Sequence, residues 1–250
     1  LMTYVYSSCE NVLDHCNFLG TPENNRFLGM ELEFSAENPQ QVAGEVLDIL
    51  GRDYAIFKWE GQDLELVTAP ASIEVHRERI ARLEEWRRPR GVKSWKSERC
   101  GMHIHVSRTA LQWNNRNGYS YRKFIERPEN AQLVDWIAGR APNHWCRRGS
   151  YNPEAYSNET YWTLDETYVG SKSAAVEFNR DTYETRIFQS TLNPRRITAN
   201  LEFVDSVVEY LNTAPPTFDY VPYLTWLNGT NYTALRSTLR RARQIQLMFA

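Results

Sequence analysis

Short strands in which polar and apolar residues alternate are the clearest pattern in this chain. In the stretch GMELEF, which begins at Gly29, the apolar side chains would point to one side of a strand, and Glu31 and Glu33 to the other. Three further predicted strands carry a polar pair at the same spacing: Asp63 and Glu65, His103 and His105, and Glu184 and Arg186. One such pair is typical of a solvated strand face, but four together favour one sheet with a polar, functional face.

Helical periodicity predicts the elements that would cover the apolar side of this sheet. Asn38 and Pro39 form a helix start signal, apolar residues follow at helical spacing, and Gly51 marks the end. Further helices are predicted at 72–86, 130–138, 197–211 and 231–249. The helices at 38–50, 72–86 and 197–211 are expected to pack on the apolar faces of the strands, which leaves the polar faces free to form a site.

Composition and charge exclude several classes of protein. With 250 residues, of which 42% are hydrophobic, the chain can form the core of one large domain or two small ones. A net charge of −2 gives no general attraction for nucleic acid. The sequence has no apolar stretch of membrane-spanning length and no signal peptide pattern, and its four cysteines show no zinc-ligand spacing. We therefore expect a cytoplasmic protein with reduced thiols.

Two polar regions have more than one interpretation. The basic loop at 87–99 fits either a solvated connector or a loop that faces phosphate or another polyanion. The stretch at 143–170 is polar and aromatic with weak periodicity, and we expect a long loop that shapes a site. The arginines of the last predicted helix are most simply a solvated face.

The polar side of the predicted sheet suits divalent metal ions. Neighbouring carboxylates repel each other unless a cation lies between them, and Mg²⁺ and Mn²⁺ prefer hard oxygen ligands. Arg186 beside such ions would bind an anionic group. This combination favours phosphoryl transfer from a metal-bound nucleotide, in which positioning and charge neutralisation provide most of the catalysis.

The order of the motifs resembles that of the amidoligase family, within the carboxylate–amine ligase superfamily. The residues that carry the resemblance are GMELE at 29–33, ELVTAP at 65–70, CGMHIHV at 100–106, and ETRIF at 184–188 with a following Thr-Leu. The stretch at 101–107 also resembles the G-x-H-x-H-x-S strand of glutamine synthetases. One motif departs from the family pattern, because the K-x-D-G-S turn of the family is KWEGQ at 58–62 here. Because of that departure, the resemblance does not decide whether this turn contacts the substrate.

The resemblance implies an α+β fold, with a curved, mainly antiparallel sheet backed by helices, as in the catalytic domain of glutamine synthetase. It implies a single catalytic domain over 1–250, with the motifs inside 26–210 and a C-terminal helical extension at 214–250. It also implies an ATP-dependent carboxylate–amine ligase that works through an acyl phosphate and needs ATP and Mg²⁺ or Mn²⁺. Its substrates would be small-molecule or peptide carboxylates and amines.

The resemblance also implies a role for each residue of the site. The expected metal ligands are Glu31, His103 and Glu184 for one ion and Glu33 and Glu65 for the other. The expected contacts to ATP and its phosphates are His105, Lys58 and Arg140. Arg186 would bind the substrate carboxylate or its acyl phosphate.

Two other classes of function stay open at this point. A metal-dependent phosphotransferase or hydrolase could use the same polar face. A non-catalytic binding or structural protein could retain the fold. No membrane or nucleic-acid partner is expected, and the sequence is compatible with either a monomer or an oligomer.

Overall fold

A seven-stranded sheet runs through the part of the chain that the computed structural model describes, which is residues 4–94, 100–111, 115–143, 146, 174–213 and 218–241. Its strands are β1 (Val5–Tyr6), β2 (Leu28–Phe34), β3 (Ala55–Glu60), β4 (Asp63–Thr68), β5 (Gly101–Ser107), β6 (Val176–Phe178) and β7 (Thr182–Gln189). Their order across the sheet is β1-β3-β4-β2-β5-β7-β6, and every neighbouring pair except β1 and β3 is antiparallel. The predicted α+β class and the mainly antiparallel sheet are therefore confirmed.

Seven helices accompany the sheet in the described residues. They are α1 (Pro39–Leu50), α2 (Ile73–Ala81), α3 (Asn115–Glu126), α4 (Ala131–Ala138), α5 (Pro194–Thr213), α6 (Tyr220–Asn228) and α7 (Thr233–Arg240). The helix predicted at 72–86 is observed as α2 and a 3₁₀ turn, Arg82–Glu85, that follows it directly. The last predicted helix is observed as α7, and residues 242–250 lie outside the described part.

Alternation along the strands sets which side of the sheet is buried against the helices. Leu28, Met30, Leu32 and Phe34 of β2 are each at most 1% exposed. They belong to one hydrophobic core that also contains residues of α1, α2 and α5, so the predicted packing of those helices is confirmed. Burial of these apolar side chains supplies the main stabilisation of the fold.

Helices α3 and α6 were not predicted, because their sequences contain few good helix formers. Helix α3 reads NRNGYSYRKFIE, and α6 contains Pro222 and three aromatic residues. Packing holds α3 in place, since Gly118 lies so close to β7 that a Cβ atom there would come within 2.6 Å of the Tyr183 ring. Tertiary contacts thus override weak helix propensity at this position.

A small apolar cluster occupies one end of the polar side of the sheet. Cys16, Ile56, Val67 and Ala69 are buried there, beneath the chain that leads from β1 to β2. All four cysteines of the chain are free. This cluster limits the polar area to the central strands.

Some expectations fall outside the described residues or concern membranes. The loop predicted at 143–170 lies outside the described part, apart from residues 143 and 146, and so do residues 95–99 of the basic loop. Across the described ranges, none of the helices combines the length and the apolar character needed to cross a membrane.

Candidate metal centre

The register of the sheet brings the predicted polar pairs together. Directly opposed residues in these antiparallel strands are Glu31 and His103, Glu33 and Glu65, Lys58 and Glu65, His105 and Glu184, and Glu177 and Glu184. Opposed residues point to the same side of an antiparallel sheet, as do residues two apart on one strand. The polar residues of the four predicted strands therefore share one face of one sheet, as expected from their alternation.

Carboxylates and imidazoles converge at the centre of this face. The Nδ1 atom of His103 lies 3.3 Å from Glu31 Oε2 and 3.3 Å from Glu184 Oε1. The Nε2 atom of His105 lies 3.3 Å from Glu31 Oε1. Three residues, Glu31, His105 and Glu184, each offer one ligand atom, and these three atoms lie within 4.8 Å of one another. They are close enough together to contact one ion. We call these three residues the metal group.

The metal group differs from the predicted one in its histidine. His103 was expected to be the ligand and His105 to face phosphates, but His105 is the histidine that completes the group. The Nδ1 atom of His105 contacts Thr182 Oγ1 at 3.2 Å. Its buried Nε2 atom makes no hydrogen bond, because its contact with Glu31 lacks suitable geometry. Sequence spacing could not decide between the two histidines, since both point to this face.

Burial and neighbouring charges control protonation on this face. Burial by itself raises the pKa of Glu31, but His105 and His103 hold that pKa well below its ordinary value. Burial and the charge of Glu31 raise the pKa of Glu65 to about 7, against the opposing effect of Lys58. Burial opposes a charge on His105, yet Glu31 and then Glu184 raise the pKa of its imidazole. Among the described residues, this face thus brings together more carboxylates than lysine and arginine side chains paired with them.

A bulge in the pairing of β5 with β7 places Arg186 beside the metal group. The pairs Met102–Phe188 and Ile104–Thr185 enclose one residue of β5 but two of β7, so β7 contains the extra residue. The guanidinium of Arg140 donates to the carbonyl oxygens of Arg186, at 2.9 Å, and Ile187, at 3.0 Å. Arg140, expected to contact ATP, is thus engaged with the backbone of the bulge.

Glu184 is held by neighbours that the sequence reasoning missed. Arg186 Nη1 donates to Glu184 Oε1, and Asn179 Nδ2 donates to Glu184 Oε2 at 2.9 Å. Glu177 is 5% exposed and lies 3.8 Å from Arg186 Nη1. Glu177 lies between the apolar residues Val176 and Phe178, so the same alternation of polar and apolar residues is visible in the sequence.

The residues expected to hold a second ion have other partners. Glu33 Oε2 accepts the backbone N–H of Gly101 at 2.8 Å, and burial raises the pKa of Glu33. Glu65 pairs with Lys58, whose Nζ is 3.1 Å from Oε2. Lys58, expected to contact ATP, thus also pairs with this carboxylate. In the described ranges, the metal group is the only set of three or more ligating side chains this close together.

The donor set of the metal group fits a divalent cation. Two carboxylates and one imidazole suit Mn²⁺, and the carboxylates suit Mg²⁺. The Nε2 atom of His105 makes no hydrogen bond to the described residues and belongs to a side chain that meets both carboxylates. A scan of the chain against protein-family models and a search of curated proteins both return no match.

Proposed function

We propose that this protein is an ATP-dependent carboxylate–amine ligase that acts on the polar face of its sheet. The observation that carries the proposal is the convergence of Glu31, His105 and Glu184, with Arg186 directly beside them. The order of the sequence motifs supports the same conclusion through the resemblance to amidoligases. The proposal includes a fold like that of the glutamine synthetase catalytic domain, with which the mainly antiparallel sheet and its layer of helices are consistent.

The excess of carboxylates supports a site that receives cations. A face built only for stability would pair each buried carboxylate, because an unpaired one costs several kcal/mol (~3–5). Here the described partners of Glu31 are two histidines, which carry a positive charge only when protonated. A divalent cation bound to the metal group would neutralise phosphate charge on ATP and on the transferred phosphoryl group.

Arg186 is the residue best placed to bind the acid substrate. Its guanidinium lies on the same face as the metal group and is partly exposed. An arginine binds a carboxylate or phosphate through two parallel N–H donors. We infer that Arg186 orients the carboxylate for attack and then holds the acyl phosphate.

The proposed reaction has two steps. An oxygen of the substrate carboxylate attacks the γ-phosphorus of ATP, a new O–P bond forms, and ADP leaves. The amine nitrogen then attacks the acyl carbon, the C–O bond to phosphate breaks, and the amine loses a proton. The products are an amide, ADP and inorganic phosphate. One oxygen of the original carboxylate thus ends in the phosphate.

Thermal unfolding tests whether the face binds nucleotide and metal. The melting temperature of the wild type and of Glu31→Gln is measured with ATP, with Mn²⁺ or Mg²⁺, and with both. A ligand at about 100 times its dissociation constant stabilises by about 2.7 kcal/mol, which is a shift of a few degrees at this size. We expect the shift in the wild type only when metal and ATP are both present, and no shift in Glu31→Gln. An unresponsive wild type would favour a binding or structural protein.

Oxygen transfer separates a ligase from the alternatives that use the same face. Carboxylates labelled with ¹⁸O are supplied with ATP, Mn²⁺ and hydroxylamine as a general amine. A ligase yields hydroxamate and labelled phosphate, whereas a hydrolase takes the phosphate oxygen from water and a phosphotransferase leaves no free phosphate. If the acid is converted to hydroxamate but the phosphate carries no ¹⁸O, the ligase proposal is contradicted.

A further inference from the structure

A second charged site lies among the helices, where β7 connects to α5. A cavity of about 500 Å³ opens there between α4, α5 and α7. Its arginines are Arg88, Arg195, Arg196 and Arg241, and none of its described lining residues is acidic. We call this cavity the arginine pocket. It is formed by elements other than the strands that contain the metal group.

Two arginines of the pocket contact carbonyl groups and no carboxylate. Arg196 Nη2 donates to the carbonyl oxygens of Trp136 and Ile137, each at 2.6 Å. Arg88 Nη2 donates to the carbonyl oxygen of Leu192 at 2.9 Å. Among the described residues, no carboxylate pairs with either guanidinium. These bonds fix the two side chains but leave their charge without a counter-ion.

Arg196 is the most strongly constrained of the four. Its Nε atom is buried and has no hydrogen-bond partner in the described part of the chain. Burial also lowers the pKa of its guanidinium. Keeping a cation in such a position costs stability, and an anion in the pocket would reverse that cost. By contrast, Arg195 is exposed and pairs with Glu84 at 3.0 Å.

The other lining groups indicate which kind of anion would fit. The positive end of the long helix α5 points at this connection, since the helix begins at Pro194. Trp136 is 43% exposed and presents a flat surface in the same cavity. Guanidinium groups match the oxygen geometry of phosphate, and a cavity of this volume is typical of small-molecule sites.

We propose that the arginine pocket binds the phosphate groups of a small phosphorylated molecule, at a site separate from the metal group. The pocket brings together two parts of the chain that the sequence left unexplained, Arg88 of the basic loop and Arg241 after the last helix. A concave site fits a small ligand better than nucleic acid, which requires an extended basic surface, and the chain has a net charge of −2.

Calorimetric titration with inorganic pyrophosphate tests this proposal. The titration is done in EDTA, so that binding cannot depend on a metal or on the proposed ligase activity. We expect saturable binding to the wild type, and affinity reduced about ten-fold or more in Arg196→Gln and in Arg241→Gln. Arg82→Gln removes the same charge from an exposed position where Arg82 pairs with Glu78, and we expect it to bind like the wild type.

Two further variants decide where the ligand binds. Glu31→Gln changes the metal group and is expected to bind pyrophosphate like the wild type. Trp136→Phe is expected to retain binding by calorimetry while losing the fluorescence change that pyrophosphate causes in the wild type. If Arg196→Gln does not fold, Arg88→Gln and Arg241→Gln replace it, because both side chains are exposed.

Several results would overturn the proposal. One is a wild type that does not bind pyrophosphate, and another is full affinity in the arginine variants. Loss of binding in Glu31→Gln would place the anion on the metal face. Tight binding of a single-stranded oligonucleotide without binding of pyrophosphate would identify a nucleic-acid surface.

Discussion

Two of the regions that contain buried carboxylates differ in how those carboxylates are paired. In the first, between β2 and the helices α5 and α7, Asp205 and Glu209 both contact Arg26 and the hydroxyl group of Tyr232, at distances from 2.6 to 3.0 Å. In the second, on the polar face, Glu31, Glu33, Glu65, Glu177 and Glu184 share Lys58, Arg186 and two histidines.

We interpret the charged residues of the first region as stabilising the fold and those of the second region as binding a ligand. In the Arg26 cluster, each carboxylate accepts one hydrogen bond from Arg26 and one from the hydroxyl group of Tyr232. Among the described residues, the polar face has more carboxylates than Lys58 and Arg186 can pair with, and one buried imidazole nitrogen makes no hydrogen bond. Removing a carboxylate should therefore damage folding in the first region and function in the second.

The largest expected effect is on activity. Changing Glu31, Glu33 or Glu184 singly to Gln should reduce the ligase rate by about 10³-fold or more, because the charge stabilisation lost is worth several kcal/mol. The chain should still fold, because glutamine keeps nearly the size of glutamate and none of these three residues belongs to the hydrophobic core. Steady-state ADP release and circular dichroism measure the two properties. Full activity in all three variants would show that the carboxylates of the polar face are not needed for function.

The next largest effect is on stability, in the Arg26 cluster. Arg26→Met leaves the buried carboxylate of Asp205 without its cation, and we expect the free energy of unfolding to fall by about 3–5 kcal/mol. Urea denaturation measures this. The exposed pair of Arg82 and Glu78 is the control, and its loss should cost less than about 0.5 kcal/mol. A cost below about 1 kcal/mol for Arg26→Met would show that this cluster does not hold the fold.

A smaller effect concerns pH and the histidine on the helical side. His76 is fully buried between the hydroxyl group of Tyr54 and the carbonyl oxygen of Leu28, and burial lowers its pKa from 6.5 to about 4. Between those pH values the unfolded chain binds more protons than the folded one. The stability contributed by neutral His76 is thus complete above about pH 6.5 and lost as pH falls towards 4, in total about 3 kcal/mol.

Denaturation at several pH values checks this contribution of His76. The variant His76→Gln cannot titrate, so its stability should fall less steeply than that of the wild type between pH 6.5 and 4. Equal slopes would show that His76 is not kept neutral by its surroundings.

The alternation of polar and apolar residues is enough to predict much of the fold and of the site from the sequence. A period of two places Glu31 with Glu33, and His103 with His105, on one face of any strand, and Pro39 and Ser72 mark helix starts that the structure contains. These signals are local, so they can be recognised without knowing the fold.

The remainder depends on contacts between distant segments. The bulge that aligns Arg186, the bonds of Arg140 to its backbone and the closeness of His105 to Glu31 and Glu184 follow from how β5 meets β7. Helix α3 forms through packing, and Arg88 meets Arg241 only in the folded chain. No pattern within a short stretch of sequence predicts these contacts between distant segments.

The alternation along β5 also sets how this protein can change during evolution. If the start of β5 stays in register, one residue inserted between Met102 and His103 would turn both histidine side chains towards the helices and bring apolar side chains to the polar face, so it would destroy core and site together. A substitution at a polar position leaves the core untouched. Point mutations at the polar positions can therefore change the chemistry of the face, whereas a residue added within a strand must be absorbed by a bulge such as the one in β7.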